Sequence, residues 1–308
     1  MSVSQSLIKF RIKINILFIR FIGWAQSGNI RKNKDKGELL KGEILTNYYA
    51  RKYLPSINNF TQQGQITVEN PETIWQFWEN PEGQSTPKIV KTSLESVRKF
   101  KGDFHHRILE KSTMGNYSDL PGHVIDKFNK KQIGYAHFAD LLRLNLLKNH
   151  GGVWIDATAY MTNFIPQYIV NEDFFVFLTG EKTGFPYSFM QNCFIRSKKG
   201  SLLCEAWYKM CVEFWKNETQ TLDYFQHQLM FKALILKHGT AKDLFNKMPH
   251  KPEDETHQLA GDNLLGKFDE KEWEKIKKLS FFQKTTFKIN GAAEHPDTYF
   301  SKLCEGNL

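Results

Sequence analysis

The sequence predicts an α/β domain, a sheet covered by helices, and three observations carry that expectation. From about residue 70 onward, short aromatic or β-branched runs alternate with longer stretches of helical periodicity. A chain of 308 residues, 41% apolar and 14% aromatic, can bury a sizeable core. It shows no internal repeat and no low-complexity tract that would indicate a solenoid or a disordered chain.

The first element is a basic leading segment. Residues 1–52 hold eleven Lys and Arg against three Asp and Glu, a net of +8 out of the chain's +9. An excess confined to one segment is not the basic footprint of a nucleic-acid enzyme, so no nucleic acid is expected as a partner. Residues 7–24, LIKFRIKINILFIRFIGW, are rich in Ile and Phe but are interrupted by Lys9, Arg11, Lys13, Asn15 and Arg20. That is too broken to span a bilayer. On a helix, Lys9, Lys13 and Arg20 share a stripe, the pattern of a helix lying in an anionic membrane surface, whereas Arg11 falls off it. Packing on the protein's own core is the competing use. A signal peptide is not recognisable, and Cys193, Cys204, Cys211 and Cys304 lack CxxC spacing and read as reduced core thiols. The expected location is cytoplasmic, peripheral on the inner face of the plasma membrane. Residues 1–65 are expected to form a basic helical extension and residues 66–308 the α/β domain.

TIWQFWE (73–79) reads as a buried strand, followed by a helix opened by Thr86 and Pro87, and FHHRILE (104–110) as a second strand whose His105 and His106 face opposite sides. Segments around Ile133–Asn149, Val153–Thr162, Phe174–Leu178 and Met190–Ser197 continue the alternation. LLCEAWYKMCVEFW and LDYFQHQLMFKALILKH have the length of full helices, so the C-terminal third should be mainly helical. Neither GxGxxG nor GxxxxGK[ST] occurs, so a nucleotide would be held another way.

The chemistry concentrates in YAHFADLLRLNLLKNHGGVWIDATAYMT (135–162). A helix over 134–149 carries apolar residues almost all round and should be buried, yet Asp140 and Arg143 sit one turn apart on it. Buried charge returns little net stability, so a functional use is expected, with an orienting ion pair as the alternative. Asp accepts sugar or ribose hydroxyls, and the fork of Arg suits phosphate. Gly151 and Gly152 stop the helix, Val153-Trp154-Ile155 begins a buried strand, and Asp156 lies where it ends. Ligands gather at such strand ends in open α/β sheets, and a carboxylate there can hold Mg²⁺ or Mn²⁺ against a diphosphate.

This stretch resembles the capsular polysaccharide synthesis proteins, relatives of the mannosyltransferase family whose motif runs from a helical D-x-x-R through Gly-Gly to D-x-D. The resemblance extends over roughly residues 70–300. It implies a GT-A (Rossmann-like) fold with helical additions at both ends. It also implies a retaining glycosyltransferase that moves a sugar from a nucleotide diphosphate, UDP-sugar first, to a growing polysaccharide or lipid-linked acceptor. By this resemblance Asp140 and Arg143 would contact the sugar and diphosphate, with Gly151, Gly152 and Thr158 bordering the donor. Asp156 would coordinate a divalent cation, Mn²⁺ or Mg²⁺. Trp75, ahead of Trp78, would stack on the base, with core packing as its other use. Asp223 would bind the acceptor or cap a helix. His295 would be a further metal ligand or a surface loop residue. Thr158 stands where the wider superfamily has a second Asp, leaving one carboxylate fewer for the cation. Two other classes stay open: a nucleotidyl- or phosphotransferase, and a membrane-surface scaffold with a degenerate transferase body.

Overall fold

The computed structural model describes residues 3–27, 34–80, 82–181, 185–289 and 296–306. Its strands are β1 (Thr73–Phe77), β2 (His105–Leu109), β3 (Gly152–Ile155), β4 (Ala159–Met161), β5 (Phe174–Leu178), β6 (Met190–Ser197) and β7 (Phe282–Lys284). Its first helices are α1 (Val3–Ser27), α2 (Lys34–Tyr53), α3 (Lys88–Phe100), α4 (Gly122–Asn129), α5 (Tyr135–His150) and α6 (Gln167–Val170). The later ones are α7 (Leu202–Asn217), α8 (Gln226–Lys237), α9 (Gly239–Lys247), α10 (Glu270–Leu279) and α11 (Tyr299–Glu305).

Five strands form the central sheet in the order β2-β1-β3-β6-β5, and β4 and β7 pair separately. β1 runs parallel to β2 and β3, while β6 runs antiparallel to both β3 and β5. The fold is therefore mixed α/β with a partly parallel sheet. β1 and β3 are buried at every position, as a central strand between two helical layers requires. In α5, Leu141, Leu142, Leu144, Leu146 and Leu147 are all at most 1% exposed, each contributing about 1.5–3 kcal/mol relative to exposure.

The glycine pair after α5 is a requirement of chain geometry. Gly151 and Gly152 have φ of +72° and +100°, and a Cβ on Gly152 would lie 2.1 Å from the Thr73 carbonyl oxygen of β1. The segment expected as one element over 153–162 breaks after Ile155. Asp156 N–H makes a last bond to Cys193 O, Ala159 N–H turns back to Asp156 O, and β4 leaves to pair with β7.

The C-terminal third is mainly helical, as expected, with one short strand, β7. The helix expected from Leu222 needs correcting: α8 begins at Gln226, because Asp223 Oδ1 accepts from Phe225 N–H and holds the preceding residues in a turn. Residues 34–57 pack into the body of the fold. Leu45, Tyr48, Tyr49, Tyr53 and Ile57 belong to the same buried core as the sheet, and the Tyr53 hydroxyl donates to Glu218, just beyond α7, at 3.2 Å. α1 is a helix, and no helix among the described residues is long and apolar enough to cross a membrane.

Candidate active site

The parallel strands direct their C-terminal ends to one edge, and β6, running the other way, brings its beginning there. Asp156 follows β3 at this edge, Asn192 opens β6 beside it, and Trp78 follows β1.

Arg143 links the pieces. Its guanidinium lies 3.2 Å from Asp140 Oδ1 and 3.5 Å from Asp156 Oδ1, donates to the backbone oxygens of Asn192 and Ala139, and stacks 4.9 Å above the Trp154 ring. Asp140 also accepts from Asn192 Nδ2 at 2.8 Å. The charged couple on α5 and the carboxylate after β3 thus converge on one place.

Their exposure assigns different work to each. Asp140 and Arg143 are buried, and the Arg143 donors are already committed to protein acceptors. The expected direct grip of Arg143 on a diphosphate is not what this geometry offers. The pair orients the site from behind, while Asp156 and Thr158 are half-buried at its mouth.

A residue absent from the sequence reading completes the mouth. Lys284, the last residue of β7, places its Nζ 3.1 Å from Asp156 Oδ2 and donates to Thr158 Oγ1. The β4–β7 ladder pairs Ala159 with Lys284, and both the backbone N–H and the hydroxyl of Thr285 bond Thr158 O at 2.8 Å. Lys284 is 128 residues from Asp156, and nothing local in FQK announces the pairing.

The electrostatics follow from these neighbours. Burial pushes the Asp156 carboxyl upward, but Lys284, Arg143 and the Trp154 indole N–H at 2.9 Å outweigh it and leave it below the usual carboxylate range. Asp140 goes the other way: burial dominates and raises it despite Arg143. His227, 3.8 Å from Asp140, is held well below the ordinary imidazole value by burial and then by Arg143, so it faces Asp140 as a neutral ring.

The Mn²⁺ or Mg²⁺ expected from the resemblance would find its protein ligands here already engaged. Such an ion can be held by one or two carboxylates together with diphosphate oxygens and water, but both oxygens of Asp156 accept from Trp154 and Lys284, and the Thr158 hydroxyl accepts from Lys284. Among the described residues there is no group of three His, Cys, Asp or Glu able to hold a metal. His295, the other proposed ligand, lies outside the described residues.

Three further assignments change. Trp75 is 2% exposed, its indole donates to Gly151 O at 3.0 Å, and its ring packs against Tyr117 and His150. It is core at the opposite end of the sheet and has no free face for a base. Trp78, partly exposed and edge-on to Phe287 at 5.1 Å, is the aromatic residue on the Asp156 edge. Gly151 caps α5 and Gly152 begins β3, about 13 Å of extended chain before Asp156, so the pair shapes the turn at the far end of that strand. Asp223 is occupied by Lys41 at 3.1 Å, Tyr187 at 3.3 Å and Phe225 N–H, a local cap and a tie to α2. Its neighbour Tyr224 is 65% exposed and lies edge-on to His137, one turn before Asp140 on α5, with the ring centroids 5.8 Å apart.

Comparison with known proteins gives a consistent set of likenesses. The family model described as capsular polysaccharide synthesis protein matches residues 26–303, and so includes α2. The O-glycosyltransferase braB of Annulohypoxylon truncatum is 24% identical over 183 residues, 54% of this chain and 43% of that protein. The glycosyltransferase afumC of Aspergillus fumigatus is 25% identical over 179 residues, 54% of this chain and 46% of that protein. The matched stretches thus span less than half the length of these curated relatives. Among solved structures, PaToxG Glycosyltransferase aligns with 86% of this chain and 98% of its own, at 14% identity and a TM-score of 0.41.

Proposed function

The chain belongs to the capsular polysaccharide synthesis protein family, and from that premise we propose that it is a glycosyltransferase of GT-A type. It takes a sugar from a nucleoside diphosphate donor and passes it, with retention, to a polysaccharide or lipid-linked acceptor. The observation that carries this reading is the convergence of Asp140, Arg143 and Asp156 at the C-terminal edge of the parallel strands, with the partly exposed Lys284 and Thr158 beside them. Preorganised charge at a point where a diphosphate departs is the main contribution a protein makes to such a transfer.

In this reading the donor lies across the edge, its base against Trp78 and Phe287 and its diphosphate at the mouth. Arg143 fixes the Asp156 carboxylate from behind. Tyr224 takes over from Asp223 as the acceptor-side residue. Attack comes from the same face as the leaving group through an oxocarbenium-like state, since Asp156 is paired with Lys284 and Asp140 is buried against Arg143, which leaves neither presented as a nucleophile.

The test is product analysis with a panel of nucleotide sugars. A sugar transferase releases nucleoside diphosphate, also by slow donor hydrolysis when acceptor is withheld. Release of pyrophosphate would make the protein a nucleotidyltransferase, and absence of any turnover or donor binding would favour a scaffold.

The acceptor side of the proposal includes an anionic membrane surface at the cytoplasmic face. Ile8 and Ile12 of α1 pack on the body, but Leu7, Phe10, Ile14, Leu17, Phe18 and Phe21 form a second apolar stripe, each 49–64% exposed. Lys13 and Arg11, both exposed, flank that stripe on its two sides. The charge that sequence placed opposite a single apolar face thus separates two apolar faces, one docked and one open. Cosedimentation with vesicles checks this: binding to vesicles with acidic headgroups and loss on Phe10→Ser with Phe18→Ser support it, and equal recovery with neutral vesicles or none opposes it.

A further inference from the structure

We propose that Lys284 serves at the donor's diphosphate in the role that a divalent cation would otherwise fill, an inference that rests on the donor class proposed above. Three observations carry it. The Lys284 ammonium sits between the carboxylate of Asp156 and the hydroxyl of Thr158, the two positions from which a D-x-D pair would hold a metal. Thr158 offers a hydroxyl there, and a hydroxyl accepts a hydrogen bond from an ammonium as readily as it would serve as a weak metal ligand. Finally, Lys284 and Asp156 keep 24% and 23% of their side-chain surface exposed, so both reach the same mouth.

An ammonium has three N–H donors, and Asp156 and Thr158 engage two of them. The third is available to a phosphate oxygen. A partly exposed pair of this kind contributes little to stability, so the fold does not depend on placing a lysine here. What fixes it is the β4–β7 ladder and the double bond from Thr285 to Thr158 O, which together hold the end of β7 against the turn that carries Asp156. Asp156 is then the positioning partner of the cation, and Lys284 is the group that touches the donor.

In the transfer, the bond from the anomeric carbon to the diphosphate oxygen breaks with its electron pair on that oxygen, where the Lys284 ammonium stabilises the charge. The acceptor oxygen forms the new bond to the anomeric carbon, and its proton passes to the departing diphosphate oxygen. No metal and no external base is needed for the balance.

The experiment is titration calorimetry of the full chain with UDP, GDP, ADP and CDP, in excess EDTA and again with Mn²⁺, with manganese binding followed in parallel by electron paramagnetic resonance. One nucleoside diphosphate binds in EDTA, Mn²⁺ changes its Kd by less than about threefold, and no stoichiometric manganese is retained. Lys284→Met weakens that binding by about 10- to 150-fold, the range of one hydrogen bond to a charged group, and Lys284→Arg restores most of it. Thr158→Asp combined with Lys284→Ala makes binding depend on Mn²⁺, which reads the same exchange in a variant that gains a property and so does not turn on misfolding. Binding that requires Mn²⁺ in the unaltered protein, or an unchanged Kd in a folded Lys284→Met, overturns the assignment and leaves the transferase reading in place. Failure to bind any nucleoside diphosphate in either condition overturns both.

Discussion

Replacing Arg143 with Met removes the cation that faces both the buried Asp140 and the half-buried Asp156 while keeping an unbranched apolar stem. The guanidinium is 5% exposed and Asp140 is 11% exposed by side chain, so solvent cannot take over the neutralisation. Lost with it are the contacts at 3.2 Å and 3.5 Å, a hydrogen bond to Asn192 O and the stacking on Trp154. Breaking a buried pair from one side costs about 3–5 kcal/mol, because the remaining charge stays desolvated. Urea unfolding should show a deficit of that size at pH 7.5. Adding Asp140→Asn should return about 1–3 kcal/mol of it, since the stranded charge is then gone.

The sign with pH is fixed by the raised Asp140 value. A carboxyl whose folded pKa lies above its unfolded one costs stability above the folded pKa, and the cost fades as pH falls through it. Without Arg143 that folded pKa rises further, so the deficit should shrink on going to pH 5. A deficit below about 1 kcal/mol, or one that Asp140→Asn leaves unchanged, would refute the view that Arg143 neutralises this pair.

Asp156→Asn should leave the protein folded, because its pairing with Lys284 is partly exposed and contributes about 0–1 kcal/mol, while transfer falls by about 100-fold or more in a donor-turnover assay. Gly152→Ala should cost more than about 3 kcal/mol in thermal or urea unfolding, since its Cβ would meet Thr73 O at 2.1 Å in a left-handed backbone; Gly115→Ala, which meets nothing within 4 Å, is the control. His106 is lowered from 6.5 to about 4 by burial and then by Arg98 and Lys101, so its neutral form contributes stability that is complete above pH 6.5 and is lost as pH falls toward 4. Its ring nitrogen faces Gln76 Oε1 at 2.6 Å, and His106→Gln should flatten that part of the acid unfolding profile.

Much of the fold was legible because its signals are local. β1 and β5 are short apolar or aromatic runs, β2 alternates in burial, α5 is apolar almost all round over four turns, and α7 carries helical periodicity. β7 escaped because three residues between helical stretches carry almost no period. The convergence of Asp140, Arg143 and Asp156 was legible because one helix, one glycine turn and one strand join them in a continuous stretch. Lys284 was not, since only the β4–β7 ladder brings it to Asp156.

Burial of charge alone would have misled elsewhere. Arg196 is fully buried and forks onto Glu72 at 2.6 Å and 2.9 Å while also bonding Gly152 O, yet it braces the far end of the sheet. Trp75 misled for a related reason: a strand's pattern tells which residues are buried but not which end of the sheet each side chain covers. Asp223 had two uses open to it, and the contacts with Phe225 N–H and Lys41 settle where its oxygens go.

The most direct test of the account is where a nucleoside diphosphate binds in crystals of the protein. The account predicts a diphosphate at the C-terminal edge of the parallel strands, in contact with Lys284 and beside Asp156, with the base toward Trp78. A nucleotide lodged in the hollow of about 660 Å³ at the other end of the sheet, among Tyr117, Asp119, Lys148, His150 and Lys199, would contradict it.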